Sequence, residues 1–252
     1  MVEFSGENKT DQQHKLDDLE QLLDDHGFPN SILKIADPKF QRDITEVRKA
    51  GLNIMMSMKG DGKPVSFIED CAVPLNHLGA YTERLTEVFS KHGGQGTWYA
   101  HASVGCLHVR PVLNMKASMD VKKMRDIAEE TFAMVREYKG SHSGEHGDGI
   151  VRSEFHTPMF GERLVRTFED VKALFDPEGL FNPGKIVQAP RMDDRSLFRY
   201  KPNYKALPQE TILDWSEWGG FAQAIEMCNN NGACRKTAPG VMCPSYRVTG
   251  DE

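Results

Sequence analysis

Nowhere in the sequence do roughly eighteen apolar residues run together, so no membrane-spanning helix is expected. The opening MVEFSGENKTDQQHK lacks a basic start followed by an apolar run, and no secretory signal is read there. The expected location is the cytoplasm, with the inner face of a membrane as the alternative. An excess of positive charge is missing too. The 31 Lys and Arg against 37 Asp and Glu leave a formal charge of -6, which disfavours nucleic acid and anionic membrane surfaces and points to a small molecule or another protein. The cysteines do not make an even set. Five of them, without a secretory signal, argue against a disulfide framework and for reduced thiols or metal ligation. Cys71, inside FIEDCAVP, is expected to be a buried, inert thiol, whereas Cys228, Cys234 and Cys243 crowd the C-terminal end. There is no internal repeat and no regular βαβ alternation.

What is present is an interleaving of helices and short strands. Leu16, Leu19, Leu22 and Leu23 recur at helical spacing after Thr10 and Gln13 in capping-box positions, and Gly27 ends that helix. SILKIA is a strand candidate, after which Asp37 and Pro38 start a second helix that Gly51 should end. LNIMMSM and PVSFIEDCAV flank KGDGK and read as a β-hairpin. Leu78 to Phe89, Met119 to Lys139 and the stretch carrying Leu164, Phe168, Val171, Leu174 and Phe175 are further helices. The fold class expected is α+β, a mostly antiparallel sheet covered by helices, followed by an extended, charged connector from Gln188 to about Pro208.

Two stretches carry possible chemistry. YAHASVGCLHVRP reads as two strands, Thr97–Ser103 and Cys106–Leu113, joined at a bend at Val104-Gly105 that can bring His101 and His108 together. Taken alone, the pair reads first as hydrogen-bonded histidines of a half-buried sheet. SGEHGDG sets Glu145 and His146 side by side between glycines, where backbone can approach a ligand closely; its other reading is a solvated turn. Taken together, His101, His108 and Glu145 are a suitable three-ligand set for a divalent ion, leaving His146 free for proton transfer. Arg110 shares the strand face of His108 if alternation holds, and can meet a substrate carboxylate or form a surface ion pair.

HASVGCLH, SGEHGDG and FDPEGLFNPGKIV, in that order with helices between them, resemble the C-terminal cap region of FAD-linked oxidases, the family of D-lactate, glycolate and D-2-hydroxyglutarate dehydrogenases. The resemblance covers residues from about Ser31 to Val187. It implies that His101, His108 and Glu145 bind a divalent metal, zinc or manganese, that orients a small 2-hydroxy acid. It makes His146 the base near the flavin and sets Asn182 of FNPGK against FAD. Val104, Cys106 and Arg110 depart from the family's HxGDGNxHxN pattern, which bears on metal affinity and substrate identity.

The tail, CNNNGACRK followed by MCPSYRVTGDE, resembles the start of an iron-sulfur module fused to some of these flavoenzymes. Its spacing is not that of a compact ferredoxin run. Cys228, Cys234 and Cys243 would give a partial ligand set for a 4Fe-4S cluster, with a structural zinc site as the rival. The implied organisation is a cap domain over residues 1–187, a linker over 188–210 and a truncated iron-sulfur start over 211–252. No glycine-rich segment of the kind that cradles the FAD pyrophosphate precedes the cap-like region. The expectation is therefore part of an enzyme, completed by an FAD-binding domain or subunit and passing electrons to a downstream acceptor. A non-catalytic docking or electron-transfer subunit is the alternative. A metallohydrolase using His101, His108 and Glu145 leaves FNPGK and the cysteines without a role.

Overall fold

In the computed structural model, which describes residues 1–228, Gly232, Arg235 and residues 244–250, the chain divides into two compact units, Met1–Leu52 and Asn53–Glu252. The first unit carries α1 (Lys9–Asp25) and the start of α2 (Pro38–Met56). Asn8, not Thr10, caps α1, its Oδ1 accepting from the Thr10 amide at 2.8 Å. Leu16, Leu19 and Leu23 are half-buried, as their spacing predicts. Asp37 caps α2 as expected, accepting from the Phe40 amide at 2.6 Å. SILKIA forms no strand.

The hairpin expected over LNIMMSM and PVSFIEDCAV does not form. α2 runs through Gly51 to Met56, because Leu and Met favour a helix and a short apolar run fits either period. β1 (Lys63–Pro64) and β2 (Cys71–Ala72) pair instead with β4 (Cys106–Leu113), Lys63 opposite Leu113 and Cys71 opposite Leu107. β3 (Gly96–His101) takes the other edge of β4, antiparallel, with Tyr99 opposite His108 and His101 opposite Cys106. This small antiparallel sheet with helices over it is the α+β class expected.

The β3–β4 reversal also follows the sequence, tightened by a single 3-10 turn at Ala102–Val104. Gly105 ends it at φ +71°, where a Cβ would lie 2.0 Å from the Val73 carbonyl oxygen. That oxygen belongs to backbone and cannot swing away. Gly105→Ala should cost about 3 kcal/mol or more, left-handed strain of about 1–2 kcal/mol plus the clash, measured by urea unfolding. A variant within about 0.5 kcal/mol of the wild type would show that the turn relaxes freely.

Leu107, Val109 and Leu113 of β4 point into the core with Phe67 and Ile68, under Tyr81, Leu85 and Phe89 of α3 (Leu78–Lys91) and Met124, Ile127 and Phe132 of α4 (Ser118–Glu137). Alternation then turns His108 and Arg110 to the opposite face, which the Ser66–Asp70 segment and the glycine loop cover. Cys71 is buried as expected, and burial pushes its thiol up to about 12.

The segment after Val187, read from the sequence as an extended charged connector, packs onto the core. Met192 is 6% exposed within the core cluster, its amide donates to Glu154 at 2.5 Å, and Asp193 pairs with Arg125 at 2.9 Å. Met192 and Phe198 on the core, the Asp193–Arg125 ion pair and the Arg195 bond to Ser118 dock a strip whose charged composition gave no sign of it. Farther on, Lys116 meets Glu226 of α7 (Phe221–Glu226) at 2.5 Å, and Tyr204 donates to the same carboxylate at 2.6 Å. Cys228 is exposed, and Cys234 and Cys243 lie outside the described residues.

α5 (His156–Phe160) leads into α6 (Glu162–Phe175). The apolar stripe predicted on α6 is real but largely unused: Leu164, Val171, Leu174 and Phe175 are exposed, as are Leu180 and Phe181 just beyond. Among the described residues, no helix is long and apolar enough to cross a membrane.

Candidate functional site

Strand pairing places the two histidines. His101 ends β3 opposite Cys106, and His108 lies two residue pairs further along β4, hence on the same face, so their rings meet edge-on with centroids 5.0 Å apart. Glu145 comes from the glycine loop between them in space. Its Oε1 is 2.9 Å from His108 Nε2 and 3.4 Å from His101 Nε2, and a ligating atom from each of the three lies within 4.8 Å of the others. Two imidazoles and a carboxylate, with His101 and Glu145 partly open to solvent, are the donor set of a zinc-class ion with a position left for another ligand. Burial holds the His108 imidazole below its ordinary pKa, with His146 and His101 adding repulsion to a proton and Glu69 and Glu145 opposing them. A neutral ring is the form that binds metal.

His146 follows on the exposed side. Its ring stacks on His108 at 5.0 Å and 25°, and its Nε2 is 3.8 Å from Glu145 Oε1. It is half-exposed, so its imidazole can be reached from solvent.

Arg110 shares the His108 face, as alternation requires, and its ion pair is buried rather than superficial. Its guanidinium holds Glu69 through two contacts, one at 2.9 Å from Nε, and Nε also donates to Ser66 at 3.0 Å. Glu69 in turn stands 3.5 Å from His108 Nδ1, the nitrogen left over when Nε2 faces Glu145. At 3.5 Å and without an aligned hydrogen bond, Glu69 acts on the His108 ring through its charge, opposing the burial that lowers its pKa.

Asp70 holds the loop from below. It is fully buried at φ +60° and accepts from the Glu145 amide at 2.9 Å, the His146 amide at 2.6 Å and the Ser143 hydroxyl at 3.3 Å, while Arg152 donates to its other oxygen. Burial alone would raise the Asp70 carboxyl; the two amides and the guanidinium outweigh it and hold the group below the usual carboxylate range. Gly144 lets this contact form, since a Cβ there would lie 2.8 Å from the Asp70 carbonyl oxygen. Glu69, Asp70 and Arg152 were not singled out in the sequence. Their signal was an acid pair inside the otherwise apolar run SFIEDCAV, where buried acids need buried partners.

Asn182 does not join the histidine cluster. At φ +47° it lines a groove of about 730 Å³ with Gly149, Phe168, Lys172, Phe181 and Lys185. Gly149 belongs to the loop that carries Glu145, and its carbonyl accepts from the Ile186 amide at 3.2 Å, so the groove reaches the base of that loop. A concave surface with apolar walls, two lysines and an amide suits a large, planar, anionic cofactor.

The family model described as FAD linked oxidases, C-terminal domain, matches residues 1–186. Among curated proteins, the chain is 35% identical over 212 residues to a D-2-hydroxyglutarate dehydrogenase of Escherichia coli, covering 82% of this chain and 20% of that protein. It is 30% identical over 257 residues to a D-2-hydroxyglutarate dehydrogenase of Haemophilus influenzae, a match that takes in 99% of this chain and 24% of the relative. A D-lactate dehydrogenase of Archaeoglobus fulgidus is 29% identical over 133 residues, covering 53% of this chain and 29% of its own. The chain thus spans about a fifth to a quarter of the length of the D-2-hydroxyglutarate dehydrogenases just named.

Proposed function

Because the chain belongs to the family of FAD-linked oxidase C-terminal domains, we propose that it is the cap part of an FAD-dependent dehydrogenase acting on a D-2-hydroxy acid. The convergence of His101, His108 and Glu145 on one face carries the reading. D-2-hydroxyglutarate is the first substrate to test, since relatives of that name match at 34% and 35% identity, with D-lactate and glycolate next.

A divalent ion held by His101, His108 and Glu145 would act as Lewis acid on the substrate hydroxyl, and FAD would accept the hydride from the neighbouring carbon. His146 takes the hydroxyl proton on its imidazole. Asp70 keeps Glu145 and His146 in register by accepting both their amides. Asn182, Lys172 and Lys185 form the flavin-facing wall, and the exposed stripe of α6 with Leu180 and Phe181 is the apolar surface that an FAD-binding domain would cover. In this organisation residues 1–187 are the cap, 188–210 the connector and 211–252 the start of an electron-transfer module. Cys228, Cys234 and Cys243 would be part of a 4Fe-4S ligand set passing electrons onward, a reading that rests on the crowding of three cysteines and a Cys-Pro pair at the C-terminal end.

Assembly with an FAD-binding domain, followed by assay of D-2-hydroxyglutarate, D-lactate and glycolate with an artificial electron acceptor, is the direct test. Flavin reduction by one of these acids is expected. A fully assembled, metal- and flavin-loaded protein that reduces with none of them would favour the docking subunit instead. Arg110 supplies a second test. A substrate carboxylate could reach its guanidinium only by displacing Glu69, so Arg110→Gln is expected to act through Glu69 and His108, weakening zinc binding by roughly 10–100-fold. A raised KM at unchanged metal affinity would return Arg110 to the substrate carboxylate.

A further inference from the structure

Two buried histidines and a mostly buried aspartate beside the glycine loop have no part in the chemistry above. His142 precedes the loop, Asp148 lies in it between Gly147 and Gly149, and His156 opens α5 after it. Asp148 Oδ1 is 2.7 Å from His142 Nε2, and Oδ2 is 2.8 Å from His156 Nε2. The two imidazoles lie nearly parallel with centroids 5.8 Å apart, 0% and 2% exposed. Phe132 and Phe160 pack on His142, and Phe160 and Phe168 on His156.

This shell leaves polar atoms unanswered. Both ring nitrogens of His142, Nδ1 of His156 and Oδ1 of Asp148 are buried without an aligned hydrogen-bond partner. Such atoms are costly in an apolar setting, and a buried carboxylate needs a compensating charge. Arg152 supplies little of it. Its Nε is 3.9 Å from Asp148 Oδ1, and its hydrogen bonds go to Asp70 and to the carbonyls of Glu69, His142 and Gly147. Two imidazoles and one carboxylate thus each offer an atom within 4.8 Å of the others, a compact donor set for a cation.

We propose that His142, Asp148 and His156 form a second metal site, distinct from that of His101, His108 and Glu145. Two nitrogens and one carboxylate oxygen select a transition ion of the zinc class over calcium or magnesium, which need oxygen cages. The aromatic enclosure leaves no open position for a substrate, so the ion is structural. It ties together a residue before the loop, one in it and one after it. The loop that presents Glu145 and His146 is thereby stapled at both ends.

Zinc counting tests this site apart from the first. The whole chain, with Cys228, Cys234 and Cys243 changed to Ser so that tail thiols do not contribute, is stripped with chelator, reloaded with zinc, and its metal measured by elemental analysis. His101→Ala/His108→Ala leaves the second cluster intact and should retain one equivalent, against two before those substitutions. Adding His142→Asn/His156→Asn should remove it. If His101→Ala/His108→Ala retains none, or retains an equivalent that survives the added pair, the second site is overturned. One equivalent in the parent that persists in His101→Ala/His108→Ala would instead sustain the second site and sink the first. Since the buried pair of substitutions can unfold the chain, cobalt loading of His101→Ala/His108→Ala with its fold confirmed by circular dichroism gives an independent readout. The absorption of a four- or five-coordinate nitrogen/oxygen site is expected, and only the weak spectrum of solvated cobalt would overturn the proposal.

Discussion

His146→Ala in the assembled flavoenzyme should lower turnover by roughly 10²-fold or more and leave metal content unchanged, whereas His101→Ala should lose the metal. The two histidines lie in one cluster but differ in what they can do. His101 Nε2 points at Glu145 Oε1 at 3.4 Å, with His108 Nε2 on the same oxygen, so removing its ring takes away one of three donors. The loss in zinc affinity should exceed the ~10–100-fold that follows removal of a ligand's supporting partner. His146 stacks on His108 and stands 3.8 Å from the shared carboxylate oxygen, close enough to be aimed by it yet half-exposed. A base fails by slowing the proton step; a ligand fails by emptying the site. Elemental analysis and steady-state turnover of the two variants separate these. If His146→Ala loses metal as His101→Ala does, it is a fourth ligand, and the proton must leave by another route.

That distinction was partly legible in the residues alone. The β3–β4 turn and its two histidines followed from β-branched and aromatic residues broken at one glycine, and SGEHGDG announced a loop at which backbone can crowd a ligand. What the sequence could not convey was pairing. Strands of two residues, such as Lys63–Pro64 and Cys71–Ala72, are too short to show a period, and their partner lies more than thirty residues away in β4. LNIMM was misread for the same reason, as a short apolar run fits a strand or the last turns of a helix. The stripe on α6 was read correctly as a pattern, but a pattern does not say whether its partner is in the same chain; here Leu174 and Phe175 remain 75% and 80% exposed. The supporting carboxylates were hidden differently. Glu69 and Asp70 stand out as an acid pair in an apolar run, but their partners Arg110 and Arg152 lie more than forty residues on and are brought to them only by β4 and the loop.

Asp70→Ala should therefore be among the most damaging single changes in the chain, although Asp70 touches neither proposed substrate nor flavin. Four groups depend on its carboxylate: the amides of Glu145 and His146, the Ser143 hydroxyl and the Arg152 guanidinium. Removing one partner of a buried ion pair typically costs about 3–5 kcal/mol, because the remaining charge stays out of water without compensation. Arg152 is 7% exposed and has only carbonyls and the more distant Asp148 to turn to. Backbone adds to the loss. Asp70 sits at φ +60°, a conformation that Asp tolerates and Ala does not favour. Asp70→Asn separates the contributions, since it keeps the shape, the tolerance of positive φ and an oxygen for one or two donors, but gives up the charge. Denaturant unfolding should order the three proteins wild type, Asn, Ala, with Ala at least about 3 kcal/mol below wild type. Zinc affinity should fall in the same order, because the Glu145 and His146 amides are what Asp70 holds. Should Asp70→Ala unfold like the wild type while losing zinc, the loop alone depends on Asp70 and Arg152 finds its compensation elsewhere. Should it lose stability but bind zinc normally, Glu145 is positioned by the glycines and by His108, and the buried acid serves only the fold.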